Sequence, residues 1–422
     1  MTAPIRTTRR AVQLAFLAVT VVGVFVIRGN AERWCPFGGV EALYTYFREG
    51  NMLCSLSVSN LYILAAVLLI TLLFRRAFCG YMCPVGAISE WLGSAGRRIG
   101  ITAKEVPHRL DRGLAILKYP LLAVILILTY RTGELMFRGF DPCYALLSRH
   151  GADITLWAYV VAGIIAAASL MVTIPFCRWL CPLAAVLHLF SRFSLTRVRR
   201  DPQACLDCAR CSKACPMGIK VHQVPRVTAA RCLSCLNCIA ACPGGGRRGL
   251  TWGPRIGALG RRWPHGVLVV VLLLCVTAAV AAAYAFPPPS FTKSRGEVPS
   301  RTASISLAVH ELTCRGRANL LAYFLERDDD YAIRGYLKIE AWPGPDVADV
   351  RIIYDPARTD ESALKQAITE PYFDAAANIW RSSPFVIDGY DALSSDRQNR
   401  ARLPSAARND LKTSYPGPPV LV

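Results

Sequence analysis

Eight of the 17 cysteines in this 422-residue sequence fall into two copies of one pattern. The stretches are CLDCARCSKACP, which begins at Cys205, and CLSCLNCIAACP, which begins at Cys232. Thiolates at this Cys-x2-Cys-x2-Cys-x3-Cys-Pro spacing hold iron–sulfur cubanes, and a duplicated pattern is typical of two clusters. The sequence therefore predicts two [4Fe–4S] centres, whose chemistry is the exchange of single electrons.

In such a pair of motifs, three closely spaced cysteines bind one cluster and the fourth reaches across to the other. The predicted ligands of the first cluster are Cys205, Cys208, Cys211 and Cys242. Those of the second cluster are Cys232, Cys235, Cys238 and Cys215. The alternative is structural zinc, which normally takes four ligands from two Cys-x2-Cys units. Eight cysteines in duplicate favour iron–sulfur clusters over zinc.

Two further cysteine pairs share the pattern Phe-Cys-x-x-x-Cys-Pro, in FCGYMCP and FCRWLCP. Proline disfavours helix in the preceding residue and suits the first helical turn, so each second cysteine should cap a new helix. Thiols at a helix N-terminus and beside arginine ionise more easily. We predict redox dithiols or metal ligands, acting as separate pairs or as one four-thiolate site, and the alternative is small apolar core residues. The four residues are Cys79, Cys83, Cys177 and Cys181.

Five apolar runs are long enough to cross a bilayer, which takes about 17–25 residues as a helix. They explain a mean hydropathy of +0.32. Because the arginines cluster beside these runs, the net charge of +20 indicates contact with lipid head groups and not a nucleic-acid partner. The runs are Ala11–Ile27, Leu56–Phe74, Leu114–Tyr130, Ile154–Phe176 and Gly266–Phe286.

The predicted topology follows from the redox chemistry of the cysteines. Cluster assembly needs a reducing compartment, so the segment 191–262 should face the cytoplasm with the N-terminus. The fifth run then places the C-terminal part outside. A hydrocarbon layer of about 30 Å is too thick for one unassisted electron hop. A quinone, the dithiols, a metal or a partner's cofactor must bridge it.

The predicted fold is an α-helical membrane protein with five transmembrane helices, an inserted two-cluster ferredoxin domain and a C-terminal α+β domain of the ferredoxin-like split βαβ type. After a proline-rich linker, the sequence pattern alternates as β-α-β-β-α. The predicted boundaries are 1–190 for four membrane helices with both dithiols, 191–262 for the cluster domain, 263–286 for the fifth helix, 287–302 for the linker, and 303–422 for the extracytoplasmic domain and tail.

Other residues give weaker predictions. Cys35 and Cys54 share an outer loop, where an oxidising compartment would allow a disulfide. Cys314, assisted by His310, is a candidate soft-metal site. None of the six histidines lies in the middle of a predicted span, and no Cys-x-x-Cys-His occurs, so we expect no haem.

The two Cys-x-x-x-Cys-Pro motifs followed by the double-cluster motif resemble the membrane-bound ferredoxins of the NapH and NosR type, over roughly residues 1–262. The resemblance implies an electron-transfer protein of the bacterial inner membrane that links the quinol pool or cytoplasmic donors to a redox process outside. It also implies an extracytoplasmic redox partner and a place in a larger membrane complex. The covalent flavin of the NosR type is not implied, because few residues precede the first span.

The copper-enzyme assembly protein CcoG is a relative of this group, which implies an alternative function as a copper-reducing maturation factor. The segment after residue 303 also resembles the heavy-metal-associated domain of copper chaperones, in LTC, VRIIYDPARTD and ALKQAI. Those domains bind Cu(I) through Cys-x-x-Cys, whereas here Cys314 is followed three positions later by Arg317. We therefore expect a degenerate domain used for docking.

Overall fold

The computed structural model describes residues 3–26, 34–49, 59–101, 106–132, 136–147, 155–243, 249–254, 263–287, 289–327, 331–344, 346–374 and 379–390. The chain folds as two compact units. One consists of residues 1–44 and 56–287, and the other consists of residues 45–55 and 288–422. The apolar helices and the cysteine-rich segment belong to the first unit, and a mixed α/β segment makes up most of the second.

The part of the chain up to residue 287 is mainly helical, with one small two-stranded sheet. Its helices are α1 Ala3–Val21, α2 Pro36–Glu49, α3 Ser59–Phe74, α4 Ala77–Tyr81, α5 Pro84–Arg98, α6 His108–Ile116, α7 Lys118–Thr132, α8 Pro142–Leu147, α9 Leu156–Met171, α10 Pro182–Ser191, α11 Arg210–Lys213, α12 Asn237–Ala240 and α13 His265–Ala285; the strands are β1 Thr196–Arg200 and β2 Leu250–Pro254.

Three helical stretches among the described residues are long and apolar enough to cross a membrane: Ile5–Val26, Arg109–Thr132 and His265–Ala285. They correspond to the first, third and fifth predicted spans. The second and fourth predicted spans form α3 and α9, each of 16 residues. At 1.5 Å per residue, such a helix covers about 24 Å. The described residues therefore include three helices that could span a membrane, and the count of five remains a prediction.

Both Cys-x-x-x-Cys-Pro motifs start a helix as predicted. Cys83 is the N-cap of α5 and Cys181 is the N-cap of α10, and in each case proline is the first helical residue. The helix before each motif ends before the first cysteine of the motif. The long helices end at Phe74 and Met171, and the chain then turns through residues with positive φ, 60° at Arg75 and 53° at Ile174. Cys79 lies in the separate short helix α4, and Cys177 lies in a π-helical turn, Phe176–Leu180.

The membrane part consists of two halves, one around each Cys-x-x-x-Cys-Pro motif, and helices of one half pack against helices of the other. The helix after the first motif, α5, packs against α9 of the second half, and the helix after the second motif, α10, packs against α3 of the first half. At the first of these contacts, Ser89 Oγ and Ser169 Oγ are 2.7 Å apart. A Cβ on Gly96 would lie 2.5 Å from the carbonyl oxygen of Leu170, so this approach requires glycine. The reciprocal packing brings both cysteine motifs to the same place.

The cysteine-rich segment is closed by β1 and β2, which pair antiparallel from Thr196 opposite Pro254 to Arg200 opposite Leu250. Between them, two short loops repeat the same backbone conformation. The residues two and four positions after the first cysteine of each motif have positive φ. Successive residues in such conformations turn their N–H groups toward one point and form an anion-binding concavity. The four residues are Asp207, Ala209, Ser234 and Leu236, with φ of 49°, 53°, 47° and 56°.

Buried arginines attach the cysteine-rich segment to the helices. Arg75, which is 1% exposed, donates to the carbonyl oxygens of Val227 at 2.9 Å and Ala229 at 2.7 Å. Asp111 accepts from Arg178 at 2.6 Å and from Arg231 at 2.5 Å. Because charged hydrogen bonds in a buried setting contribute more than neutral ones, these contacts fix the segment on the ends of the helices.

The second unit contains a four-stranded antiparallel sheet with the order β3-β5-β6-β4. The elements that the sequence predicted after residue 303 are present in the predicted order. They are β4 Ala303–His310, α14 Arg315–Leu325, β5 Leu337–Trp342, β6 Val347–Tyr354 and α15 Glu361–Thr369, followed by β7 Tyr372–Asp374 and β8 Ile379–Arg381; the added strand is β3 Phe291–Arg295.

Strand β3 corrects the prediction that residues 287–302 form only a linker. FTKSR alternates apolar and polar residues, and Phe291 is buried. The prolines before this strand do not prevent it from pairing with β5. At the other edge of the sheet, Val309 forms an isolated antiparallel bridge with Ile387. The core of the unit lies between the sheet and α14 and α15, with Phe324 and Phe385 in edge-to-face contact at 5.6 Å.

We predict that Arg75→Met weakens the attachment of the cysteine-rich segment. The substitution leaves buried carbonyl oxygens without donors, at a cost of about 1–3 kcal/mol for each unsatisfied group. The measurement is the rate of proteolysis within residues 196–254 of the detergent-solubilised protein, which should rise severalfold. Arg97→Met is the matched control, because the Arg97 guanidinium donates only to Ser94 of its own helix among its described hydrogen bonds. Equal proteolysis of both variants would contradict the attachment.

Candidate iron–sulfur and thiol sites

The four cysteines predicted for the second cluster surround one cavity. Its wall is otherwise apolar, from β1 and the two cysteine loops, and includes Val198, Met217 and Val227. Cys215 reaches this cavity from the first motif, as the crossed assignment requires. The cysteines that line it are Cys215, Cys232, Cys235 and Cys238.

The four cysteines predicted for the first cluster also lie together, but nearer to solvent. Cys242 is within electrostatic range of Cys205, Cys208 and Cys211. Cys208 is exposed, and Cys205 and Cys242 are half-buried. Gly249 closes this group, because a Cβ there would lie 3.4 Å from Cys242 Sγ and 3.3 Å from a backbone oxygen. The two groups of cysteines therefore differ in their access to water and to soluble donors.

Both groups fit an iron–sulfur cluster in donor chemistry and in backbone geometry. Each provides four thiols beside a loop of left-handed residues, whose N–H groups can donate to cluster sulfur. Burial raises the pKa of the Cys235 thiol to about 12, and the nearby Arg9 guanidinium only partly opposes this rise. Cys235 is thus a neutral thiol at pH 7, and iron must displace its proton on binding. A bound cluster would supply one-electron chemistry at each group.

The second cluster group touches the first Cys-x-x-x-Cys-Pro motif at Gly80. A Cβ on Gly80 would lie 3.2 Å from the Leu233 carbonyl oxygen and 3.8 Å from Cys235 Cβ. The Gly80 carbonyl oxygen accepts hydrogen bonds from Arg9 at 3.0 Å and Gln13 at 3.1 Å. Arg9 also forms a bidentate ion pair with Glu90. Helix α1 thereby holds the motif against the cluster loop.

The repeat is asymmetric at this contact, because Arg178 occupies the position that corresponds to Gly80. The Arg178 side chain packs on Gly218, where a Cβ would lie 2.6 Å from a guanidinium nitrogen. Gly218 also has a φ of 62°, so glycine is required there on two grounds. Of the two motifs, only the first approaches a cluster cysteine through glycine in the contacts described.

The structure brings the four cysteines of the two motifs together. The Cys177 thiol is within hydrogen-bonding reach of the thiols of Cys83 and Cys181. Cys79 is within electrostatic range of both Cys83 and Cys181. Since Cys83 and Cys177 come from different halves, the contact crosses the repeat. The Cys83 thiol faces the backbone N–H groups of Val85 and Gly86 without closing a regular capping bond.

Sequence reasoning placed Arg76 near these thiols but missed their other neighbours. Arg76 and Lys118 are buried beside them, and Cys143 of α8 is within electrostatic range of Cys83 and Cys181. Cys143 is also near Cys35, which precedes α2. The faint similarity between CPFGG and DPCYA was the signal that could have linked these loops to the site.

The predicted disulfide between Cys35 and Cys54 lies partly outside the described residues, since Cys54 is not among them.

Cys314 is the N-cap of α14, and no hydrogen bond joins it to His310, whose Nε2 is 3.9 Å from Asp388. The position of the missing second cysteine is taken by Arg317, which pairs with Glu311 at 3.4 Å. Within the described ranges, no group of three or more His, Cys, Asp or Glu side chains surrounds a position for a single metal ion.

Comparison with protein families gives matches over the same segments. The profile described as "4Fe-4S binding domain" matches twice, at residues 56–102 and 154–200, so each match contains one Cys-x-x-x-Cys-Pro motif. The profile described as "4Fe-4S dicluster domain" matches residues 197–243, which contain all eight cluster cysteines. The double match confirms the internal repeat, in which Cys79 corresponds to Cys177 and Cys83 to Cys181.

The curated relatives cover about half of this chain. YccM of Escherichia coli (strain K12) is 32% identical over 213 residues, which are 48% of this chain and 58% of YccM. Protein NirI of Paracoccus denitrificans is 29% identical over 50% of this chain and 31% of its own length. The ferredoxin-type protein NapH of Haemophilus influenzae is 26% identical over 49% of this chain and 73% of its own length.

A further sequence relative is the regulatory protein NosR of Pseudomonas aeruginosa, at 28% identity over 45% of this chain and 27% of its own length. No solved structure matches this chain. The repeated motif, the dicluster motif and these relatives converge on one group. Through its helical and cysteine-rich part, the chain is similar to the membrane 4Fe-4S ferredoxins of the NapH and NosR type.

Proposed function

We propose that this protein is a membrane-bound iron–sulfur electron carrier that passes electrons from the quinol pool or a cytoplasmic donor to a redox process outside the inner membrane. The observation that carries the proposal is the placement of the two cysteine groups. One is open to solvent at Cys208, and the other is buried and touches the membrane part at Gly80. Electrons can thus enter on the exposed side and leave toward the membrane.

The proposed cluster ligands are those of the crossed assignment. The cavity lined by Cys215 and the three leading cysteines of the second motif supports it for the second cluster. The proximity of Cys242 to the three leading cysteines of the first motif supports it for the first. In each case one thiol comes from the other motif, and this interlocking holds the two loops together.

The proposed topology has five spans, with the N-terminus and residues 191–262 in the cytoplasm and residues 303–422 in the periplasm. Three helices have the length and composition for a span. The cysteine loops lie against the ends of helices that carry Arg75 and Arg178, which agrees with an arginine-rich cytoplasmic side. Cluster cysteines also require the reducing side of the membrane.

The quinol pool is favoured as the donor by a cavity of about 500 Å³ at the junction of the helices and the cysteine-rich segment. A hydrogen-bonded pair, the Tyr119 hydroxyl and His188 Nδ1, lies in its wall, with the rings stacked at 6.1 Å. Oxidation of a quinol releases two protons and two electrons, and this pair offers a proton acceptor. The remaining wall is formed by Leu189, Arg192, Thr228, Ala229 and Ala230.

Arg75 links this cavity to the second group of cluster cysteines. Arg75 donates to the carbonyl oxygen of Ala229 in the cavity wall and is within electrostatic range of Cys232. The size of the cavity is within the usual range of about 300–1,000 Å³ for small-molecule sites. A quinol in this position would therefore lie next to a predicted acceptor cluster.

The second candidate function is copper reduction or delivery during maturation of a respiratory copper enzyme. The β-α-β-β-α order of the second unit is the observation that favours it, since this order matches the heavy-metal-associated domains. We nevertheless propose a docking role for that unit, because Arg317 stands where such domains need a second thiolate and is held by Glu311. A single thiol at Cys314 is a weak Cu(I) site.

The crossed ligand assignment predicts a pattern in paired cysteine substitutions. Cys215→Ala and Cys232→Ala affect the same cluster, so the double variant should lose no more iron than either single variant, about four atoms per chain. Cys215→Ala combined with Cys205→Ala should lose about eight. The measurement is iron per chain in anaerobically purified protein. Cys275→Ala, in α13 away from both groups, is the control. If each motif held its own cluster, the pattern would be opposite. The variant that combines Cys215→Ala with Cys205→Ala would then lose about four irons, and the variant that combines Cys215→Ala with Cys232→Ala would lose about eight.

The quinol proposal predicts fast reduction of the clusters by a short-chain quinol, followed anaerobically by electron paramagnetic resonance. Tyr119→Phe and His188→Asn should each slow this reduction at least about tenfold, because positioned proton acceptors contribute factors of this size or more. Iron content should not change. Tyr159→Phe is the control, since Tyr159 lies half-exposed on α9 outside this cavity. Unchanged rates in both test variants would contradict quinol entry here.

A further inference from the structure

The alternative role of the four cysteines of the repeated motifs, as small apolar core residues, does not explain their setting. Cys79 and Cys177 are 4% and 2% exposed. The Cys177 thiol lies within hydrogen-bonding reach of one thiol from each half of the repeat, those of Cys83 and Cys181. The same four positions are the ones that the reciprocal packing of α5 and α10 brings together.

Two buried cations accompany these thiols. Arg76 is 0% exposed, donates to the Cys177 carbonyl oxygen at 3.1 Å and lies beside the Cys79 thiol. Its Nε and one terminal nitrogen have no hydrogen-bond acceptor among the described residues. Lys118 is 2% exposed and within electrostatic range of Cys181. Buried donors without partners, and buried charges without counter-charges, are costly.

Negative charge on the sulfur atoms would remove this cost. Two carboxylates lie within electrostatic range of these groups, Asp111 of Lys118 and Asp141 of Cys83. Both oxygens of Asp111 are engaged, by Arg178 and Trp179 on one and by Arg231 on the other. Asp141 accepts a hydrogen bond from the backbone N–H of Cys143 at 2.9 Å. Four thiolates around an iron–sulfur core keep a net negative charge, and the core sulfides accept hydrogen bonds. The cations thus match a metal–thiolate centre better than four neutral thiols or two neutral disulfides.

We propose that Cys79, Cys83, Cys177 and Cys181 together bind a third iron–sulfur cluster, with Arg76 and Lys118 as its charge partners. The proposal rests on the proposed electron-carrier function. The matches of the 4Fe-4S binding profile, each of which includes one of the two motifs, support iron as the metal. The thiols do not surround a single-ion position, and the same is true of the eight ferredoxin cysteines. Ligands of a cluster stand around several irons and are spaced more widely than those of one ion.

The position of this third centre connects the cytoplasmic clusters with the outer loops. On one side, Gly80 of the first motif touches Leu233 and Cys235 of the second cluster loop. On the other side, Cys143 lies within electrostatic range of Cys83 and Cys181. One electron would leave the second cluster and enter the third centre, with no bond made or broken. The proposed carrier then has an intermediate step between the cytoplasmic clusters and the outer loops.

The test is iron content in the full-length protein, purified anaerobically in detergent. Two ferredoxin clusters account for about eight irons per chain, so the wild type should contain about ten or more. Cys83→Ser with Cys177→Ser should return the count to about eight and should leave the signals of the two ferredoxin clusters intact, which also reports that the variant folds. Cys79→Ser with Cys181→Ser should give the same result. Cys275→Ser is the control and should keep the wild-type count.

The charge partners provide a second readout. Arg76→Gln should shift the redox potential of the third signal or abolish that signal, while Arg76→Lys should restore it. Lys118→Met should act in the same direction. A wild-type count of about eight that the cysteine pairs leave unchanged would overturn the proposal, and so would copper or zinc lost in those variants in place of iron. Failure of the electron-carrier function would appear separately, as three clusters that no quinol or outer acceptor reduces or oxidises.

Discussion

Buried positive charge is the constraint on which the rest of this structure depends. Arg75, Arg76 and Lys118 are almost fully excluded from solvent at the junction between the helices and the cysteine-rich segment. In such a setting a cation is tolerated only when carbonyl oxygens or negative charge compensate it. Carbonyl oxygens of the cluster domain do so for Arg75. Negatively charged iron–sulfur sites would do so for the other two, so charge balance couples cofactor binding to the assembly of the two parts.

The duplication gives this junction its shape. Each half of the repeat contributes a helix before its cysteine motif and a helix after it. The helix after each motif packs against the helix before the motif of the opposite half. This packing places the N-termini of α5 and α10, and therefore their capping cysteines, at a shared position. The symmetry is broken at the residue that follows the first cysteine of each motif. Gly80 allows one motif to touch the second cluster loop, and Arg178 makes the other motif an anchor.

Much of the architecture could be predicted from the sequence, because the signals were local. The cysteine spacing indicated two groups of four, and proline placed Cys83 and Cys181 at helix N-caps. The elements of the second unit followed from apolar periodicity. Predictions were incomplete where tertiary contacts decide the conformation. The positive φ at Arg75, which ends α3 before the motif, is stabilised by carbonyl oxygens more than 150 positions away. Strand β3 forms because its partner Leu337–Trp342 lies in a distant segment.

The central claim is that the chain carries electrons between the two sides of a membrane. The most direct test uses proteoliposomes that contain only this protein, with a membrane-impermeant acceptor such as ferricyanide trapped inside and an impermeant reductant such as dithionite added outside. In vesicles whose ferredoxin segment faces outward, the trapped acceptor should be reduced much faster than in protein-free vesicles. Oriented vesicles with intact, reducible clusters but with acceptor reduction no faster than the protein-free background would contradict the account.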